Sequence, residues 1–173
     1  MSIHIIIDGY NLIRQSKSLV ALDRQDLQLG REALLDMLSA YKRIKRHTIT
    51  VVFDGTKAPP FSQHKDQIKG IKVKFSRRGE FADAVIKRMA AKLREKALVV
   101  SSDLDVIHFS ASKGSATIDS PGFEEKMAMA VYMDTKGMES EETVGWIPTT
   151  KKKGPGRRLS KKQRHSRVKI KKL

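Results

Sequence analysis

Apolar residues fall along this chain in two rhythms. Short continuous runs occur at Ile3 to Ile7, at Thr48 to Phe53 (TITVVF) and at Ala97 to Ser101 (ALVVS). Such β-branched runs read as strands buried on both faces, the usual state of strands in a parallel sheet. Ile71 to Phe75 (IKVKF) alternates apolar and basic, as a half-exposed strand would, and Ala116 to Ile118 reads as a short last strand. Between the runs the apolar positions recur at helical spacing. Leu27, Arg31, Leu34, Leu35, Leu38, Tyr41 and Ile44 make one largely apolar face and predict a helix over Arg24 to Lys45, with Asp23 as its N-cap and Gly30 as a weak point. Further helices are predicted over Glu80 to Lys96 and Leu104 to Ala111. Another is predicted from Pro121, at a first-turn position, to about Thr135.

The segments left over read as connections. Arg14 to Leu22 is polar and mixed and is expected to be a loop. Residues 56–70 hold Pro59, Pro60 and Gly70 and read as a long loop. Residues 1–136 therefore form one α/β domain, with a mostly parallel sheet and helices on both faces. Residues 137–150 read as a linker or packing arm anchored by Trp146, and 151–173 as a basic, low-complexity tail expected to be flexible, with helix forming on binding.

Charge changes the picture most at that tail. The formal net charge is +16, and 12 of the 35 Lys and Arg residues lie from Lys151 onward, where no Asp or Glu occurs. The first 150 residues hold the other 23 basic residues against 19 acids, a net of +4. A basic extension on a nearly balanced body points to a polyanion, most often nucleic acid, rather than to a solubility device. Lys151, Lys152, Lys153, Arg157, Arg158, Lys161, Lys162 and Arg164 are the candidate contacts there, as are Arg77 and Arg78 in the body. Cysteine is absent, which excludes disulfides, thiolate catalysis and Cys-based zinc sites and suits a reducing cytoplasm. No apolar run is long enough to span a membrane, and no secretory leader pattern opens the chain.

The candidate chemistry lies at the strand ends. Asp8, Asp54 and Asp103 each follow an apolar run at once, and Asp83 stands in the first turn of a predicted helix, three residues after Glu80 and on its face. In open α/β sheets such ends share one crevice. Carboxylates gathered there repel one another unless a cation neutralises them. A hard divalent ion such as Mg²⁺ suits oxygen ligands, keeps several waters and needs only one or two direct carboxylates. Each acid also has a plain structural use: Asp54-Gly55 as a turn, Asp103 as a helix cap, Asp105 and Asp83 as first-turn acids, Asn11 as a turn residue. The coincidence of Asp8, Asp83 and Asp103 on successive element ends outweighs these. His4, His47, His64, His108 and His165 form no i, i+4 pair, and no Gly-rich phosphate loop occurs, so histidine acid–base and nucleotide-cradling chemistries find no support.

Four ordered motifs carry a resemblance: DGYNLI at 8–13, FDG at 53–55, GEFADAVI at 79–86 and VVSSDLDV at 99–106. Together they resemble the NYN domain of the PIN-like nuclease group, and in particular its bacterial YacP-like branch. The likeness covers about residues 1–135 and the basic character of the tail. It implies a PIN-like three-layer α/β sandwich and a metal-dependent endoribonuclease. Asp8, Asn11, Asp83 and Asp103 would be its site residues. Asp8, Asp83 and Asp103 would be the ligands of Mg²⁺ or Mn²⁺. Asp105 is a further candidate ligand that departs from the family's spacing. The branch's association with translating ribosomes implies mRNA as substrate and the ribosome as partner. The competing reading is a non-catalytic RNA- or ribosome-binding module on the same fold. An aspartyl phosphatase fits poorly, because the first strand ends in DGYN rather than DxD.

Overall fold

In a computed structural model of the chain, residues 3–57, 67–137 and 160–173 are described, apart from the side chains of Lys161 and Lys162. The first strand, β1 (His4–Asp8), lies in the middle of a six-stranded sheet. Ile5, Ile6 and Ile7 are fully buried, because the sheet is covered on both faces. Burying each such side chain contributes about 1.5–3 kcal/mol. β1 pairs in parallel with β2 (Thr48–Phe53) on one side and β5 (Ala97–Val100) on the other. Outside β2 lies β4 (Ile71–Phe75), and outside β5 lies β6 (Ala116–Ile118), both parallel. A two-residue β3 (Gln67–Ile68) closes the β4 edge in the antiparallel sense. The order is β3-β4-β2-β1-β5-β6. The connections therefore run outward in both directions from β1, and the crevice beside a central strand of this kind is where α/β sheets bind ligands.

Two apolar layers flank the sheet. On one face, Ile6, Val52 and Val99 pack against Val85, Ile86 and Ala90 of α4 (Ala82–Leu93) and Val106 of α5 (Leu104–Ser112). On the other face, Ile5, Ile7, Ile49 and Val51 meet α1 (Gly9–Gln15), α3 (Leu27–Lys45) and α6 (Ser120–Thr135) through Leu12, Leu34, Leu38, Tyr41 and Phe123. The result is the three-layer mixed α/β sandwich expected of a PIN-like fold. In β4, Ile71 and Val73 are buried while Lys72 and Lys74 are exposed, as the alternation predicts.

Three connections differ from expectation. Arg14 to Leu22 is helical rather than a loop: α1 runs into α2 (Lys17–Gln25) through Ser16. Ser16 closes α1 with its backbone N–H and caps α2 with its hydroxyl, which accepts from Leu19 N and donates to Glu124 Oε1 of α6. With Leu19 as the one buried residue of α2, the segment carries too little apolar periodicity to be seen in sequence. The long helix then starts at Leu27, capped by Asp26 rather than Asp23. Gly30 lies where α3 crosses α2, a Cβ there standing 2.9 Å from Asp23 Cβ. Within the expected 56–70 loop, Gly55–Lys57 is a 3-10 turn and β3 turns into β4 through Lys69 and Gly70, both left-handed.

The C-terminal stretch differs most. Residues 160–173 are not an extension. α7 (Lys161–Lys171) is opened by a capping box of Ser160 and Gln163 and lies against β6. Its end enters the core. Leu173 is buried, Tyr41 Oη donates to the Leu173 carbonyl at 3.1 Å, and His47 Nε2 stands 3.3 Å from the Lys172 carbonyl. Composition hides this because one buried leucine at the end of a lysine-rich helix sets up no period. Trp146, Lys151, Lys152, Lys153, Arg157 and Arg158 lie outside the described residues. Among the described residues no helix is long and apolar enough to cross a membrane.

Candidate active site

Three predicted acids meet at the carboxyl ends of the central strands. Asp8 ends β1 and caps α1, its Oδ1 accepting from Asn11 N at 3.3 Å. Its Oδ2 accepts from Ser101 Oγ at 3.2 Å. The carboxylate is 7% exposed. Burial above all pushes its pKa up to about 6, with the charges of Asp83 and Asp103 adding to the shift and its two hydrogen bonds opposing it. Among the described residues no basic side chain pairs with it.

Asp83 is placed by the first turn of α4. Its pKa is raised by partial burial and then by Asp103, with Lys87 pulling the other way and Asp105 and Asp54 adding to the rise. Asp103 caps α5, its Oδ1 accepting from Asp105 N at 2.8 Å and Val106 N at 3.4 Å. Ser101 joins the two strand ends. Its Oγ donates to Asp8 and accepts from Asp103 N at 3.1 Å, so one fully buried hydroxyl sets the spacing between two acids. Sequence reasoning passes over Ser101 as a brace of the candidate site, because a serine at a strand end looks like any turn residue.

The neighbouring acids divide sharply from these three. Asp105 pairs with Lys87, and Glu80 pairs with Arg88, which holds Glu80 below the usual carboxylate range. Glu80 does not share a helical face with Asp83, since α4 begins only at Ala82 and Glu80 precedes it. Its Oε2 instead accepts from Arg77 N across a turn at Gly79. Lys87 and Arg88 are thus committed, whereas Arg77 and Arg78 are exposed beside the crevice. Asp54 Oδ1 accepts from Thr56 N at 2.9 Å and Thr56 Oγ1 at 2.7 Å, a turn role, although its charge still reaches Asp83.

Asn11 holds the crevice wall. Its Oδ1 accepts from Ser102 N at 2.9 Å and Ser120 Oγ at 2.8 Å, tying α1 to the β5–α5 connection and to the start of α6. Its amide nitrogen has no partner among the described residues. Tyr10 of the same motif packs edge-on to Phe53, centroids 5.1 Å apart.

The donor chemistry suits a hard divalent cation: three carboxylates, two of them raised by burial and mutual repulsion, and none in an ion pair among the described residues. Among the described residues no three Asp, Glu or His side chains stand close enough to enclose an ion by themselves. An ion that keeps several waters, as Mg²⁺ does, needs only one or two direct carboxylates.

A family model described as the YacP-like NYN domain matches residues 5–172, a span that includes α7 and the basic C-terminal stretch. Two crystal structures are similar in fold. One is Rae1 (YacP) from Bacillus subtilis, with 21% identity, a TM-score of 0.66 and coverage of 79% of each chain. The other is a mutant of that same protein, with 19% identity, a TM-score of 0.65 and coverage of 79% of this chain and 80% of that one. No curated protein matches.

Proposed function

Since this chain belongs to the YacP-like NYN domain family, a nuclease-type group of PIN-like fold, we propose that it is a metal-dependent endoribonuclease hydrolysing RNA phosphodiesters. The observation that carries the reading is the sorting of charge at the crevice. Asp105 and Glu80 are paired with Lys87 and Arg88, while Asp8, Asp83 and Asp103 make no ion pair among the described residues and repel one another, the charge of Lys87 offsetting this only in part at Asp83. A fold gains nothing in stability from that arrangement, and perturbed carboxylates in a crevice mark a working site.

Asp8, Asp83 and Asp103 would hold Mg²⁺ or Mn²⁺, directly or through its waters. When bound, the ion supplies a more acidic water and neutralises charge on the phosphate under attack. Asp8 is fixed from two sides by Asn11 N and Ser101 Oγ, so its oxygens keep their aim without rearrangement. Ser101 holds the Asp103 backbone N–H and the α5 cap engages its Oδ1, leaving Oδ2 without a hydrogen bond among the described residues. Arg77 and Arg78 hold phosphates flanking the reacting one, and the Asn11 amide nitrogen orients a water or phosphate oxygen. Asp105 serves Lys87 in this scheme and becomes a ligand only if that ion pair opens.

The substrate is mRNA engaged with the ribosome in the cytoplasm, a reading supported by the family resemblance and by the run of 12 basic residues from Lys151. Cleavage of a translated and an untranslated mRNA by wild type and Asp83→Asn, with Mg²⁺ and with EDTA, tests it. Cleavage is expected only from wild type with Mg²⁺, and more from the translated message. Full activity of Asp83→Asn or activity in EDTA would sink the mechanism. The binding-module alternative draws on the absence of a closed three-acid cage among the described residues. It predicts RNA binding with no cleavage under any condition.

A further inference from the structure

Six large apolar side chains are exposed among the described residues, and two of them stand at the acidic crevice. Phe81, 71% exposed, is the N-cap of α4 and lies two residues before Asp83. Leu104, 66% exposed, opens α5 immediately after Asp103. The ion pair between Lys87, a little over a turn into α4, and Asp105, in the first turn of α5, ties the two helix starts together. The acids and the two apolar side chains therefore share one lip.

Neither position calls for an apolar residue on structural grounds. Phe81 joins neither core cluster and makes no side-chain cap hydrogen bond, whereas Ser, Thr, Asp or Asn at an N-cap would stabilise the helix. An exposed aromatic ring costs solubility and gives the fold nothing in return, so its use lies outside the chain.

The charges around it say what it meets. Arg77 and Arg78 precede Phe81 by four and three residues and are exposed. Lys72 and Lys74 pair in register with Thr50 and Val52. They therefore share the sheet face of Val52, which α4 covers, and lie beyond the edge of that cover. None of these four basic residues has an ion-pair partner among the described residues. A basic lane thus runs along β4 and ends at an aromatic ring beside three carboxylates. Backbone-tracking positive charge combined with an exposed aromatic ring is how proteins hold unpaired nucleic acid. In a duplex the base faces are already stacked on one another and offer the ring nothing.

We propose that Phe81 is the platform on which one unpaired base of the RNA stacks, flanked by Leu104, while Lys72, Lys74, Arg77 and Arg78 hold neighbouring phosphates. This rests on the nuclease reading above and adds to it the side chains that position the strand over the acids. The ring fixes the sugar–phosphate next to the stacked base over Asp8, Asp83 and Asp103. Phe81 is thus a positioning residue, and stacking makes it tolerant of base identity.

The test uses the full chain in EDTA, so that nothing is cut, and follows fluorescence anisotropy of a short unstructured oligoribonucleotide and of its duplex. Phe81→Ala should weaken single-strand binding about 5- to 100-fold and leave the weaker duplex binding unchanged. Phe81→Trp should restore affinity, and Leu104→Ser should give a smaller loss than Phe81→Ala. Oligoribonucleotides made abasic at successive positions should show one position at which removal of the base costs wild type what Phe81→Ala costs, with no further loss when the two are combined. Single-strand affinity unaltered in Phe81→Ala, or an equal loss on both substrates, would overturn the proposal; the latter would assign the ring to folding or to a protein contact. If wild type nonetheless binds and cuts RNA, the nuclease reading survives that result. Wild type that binds neither substrate would overturn both.

Discussion

Asp8 shows how one buried carboxylate links stability to chemistry. Its folded pKa is about 6 against 3.8 for the free side chain, so the folded state holds the proton more tightly than the unfolded one. The stability this lends is present below about pH 4, falls as pH rises toward 6 and is absent above. Asp8→Asn keeps an acceptor for Asn11 N and removes the charge. At pH 7 to 8 it should therefore abolish Mg²⁺-dependent cleavage while matching or exceeding wild type in stability, by up to about 3 kcal/mol. The gain should vanish near pH 4. Chemical denaturation across that pH range checks it, and Mg²⁺ should raise the melting temperature of wild type but not of the variant. A variant that unfolds at neutral pH would show Asp8 to be structural. Beside it, Gly9 looks in sequence like a turn glycine. In the structure it is helical, and a Cβ there would stand 2.3 Å from Phe53 Cε1 and 2.9 Å from Val51 Cγ1. The glycine is needed for close packing under the site, a reason that sequence cannot display because Phe53 arrives from another strand.

Among the elements, the strands were legible and some of the helix boundaries were not. Parallel strands buried on both faces are continuous apolar runs, so β1, β2 and β5 announce themselves. α2 does not, because it buries one leucine and rests on a serine cap. α7 is the element whose meaning changed most. Its last turn is tied to α3 and to the start of β2 through the Leu173 and Lys172 carbonyls. Leu173→Ala should cost about 2 kcal/mol, at the lower end of the range for a buried leucine. Thermal or urea unfolding measures it. No loss would mean that the helix does not stay seated on β6.

Across the molecule, two groups of exposed positive charge stand out among the described residues. One is the lane along β4. The other is α7, where Arg164, Arg167 and Lys171 are exposed at i, i+3 and i+7 on one face, away from the buried Leu173. Deleting the whole C-terminal stretch would remove charge and core together. Neutralising those three residues to Gln separates the two effects. If α7 binds RNA, the slope of log K against log salt should become shallower by about 2 on single strands, with the melting temperature held within a few degrees. An unchanged slope would confine RNA binding to the rest of the chain.

The order of residues along the chain dictates the sheet-forming runs, the alternation of strand and helix, the three acids at element ends and the excess of basic charge. Each of these is local: a period, a composition or a residue next to a turn. Which acids stay unpaired is settled only by the folded backbone, because Lys87 meets Asp105 once α4 and α5 lie together and Arg88 reaches back to Glu80 across the turn that opens α4. Folding likewise brings Ser101 between Asp8 and Asp103, sets Asn11 as the brace of the crevice, and seats the end of the basic stretch in the core. The links from Asp8 to Ser101, from Asn11 to Ser102 and from Tyr41 to Leu173 join residues 91 or more positions apart, and no spacing along the chain encodes them.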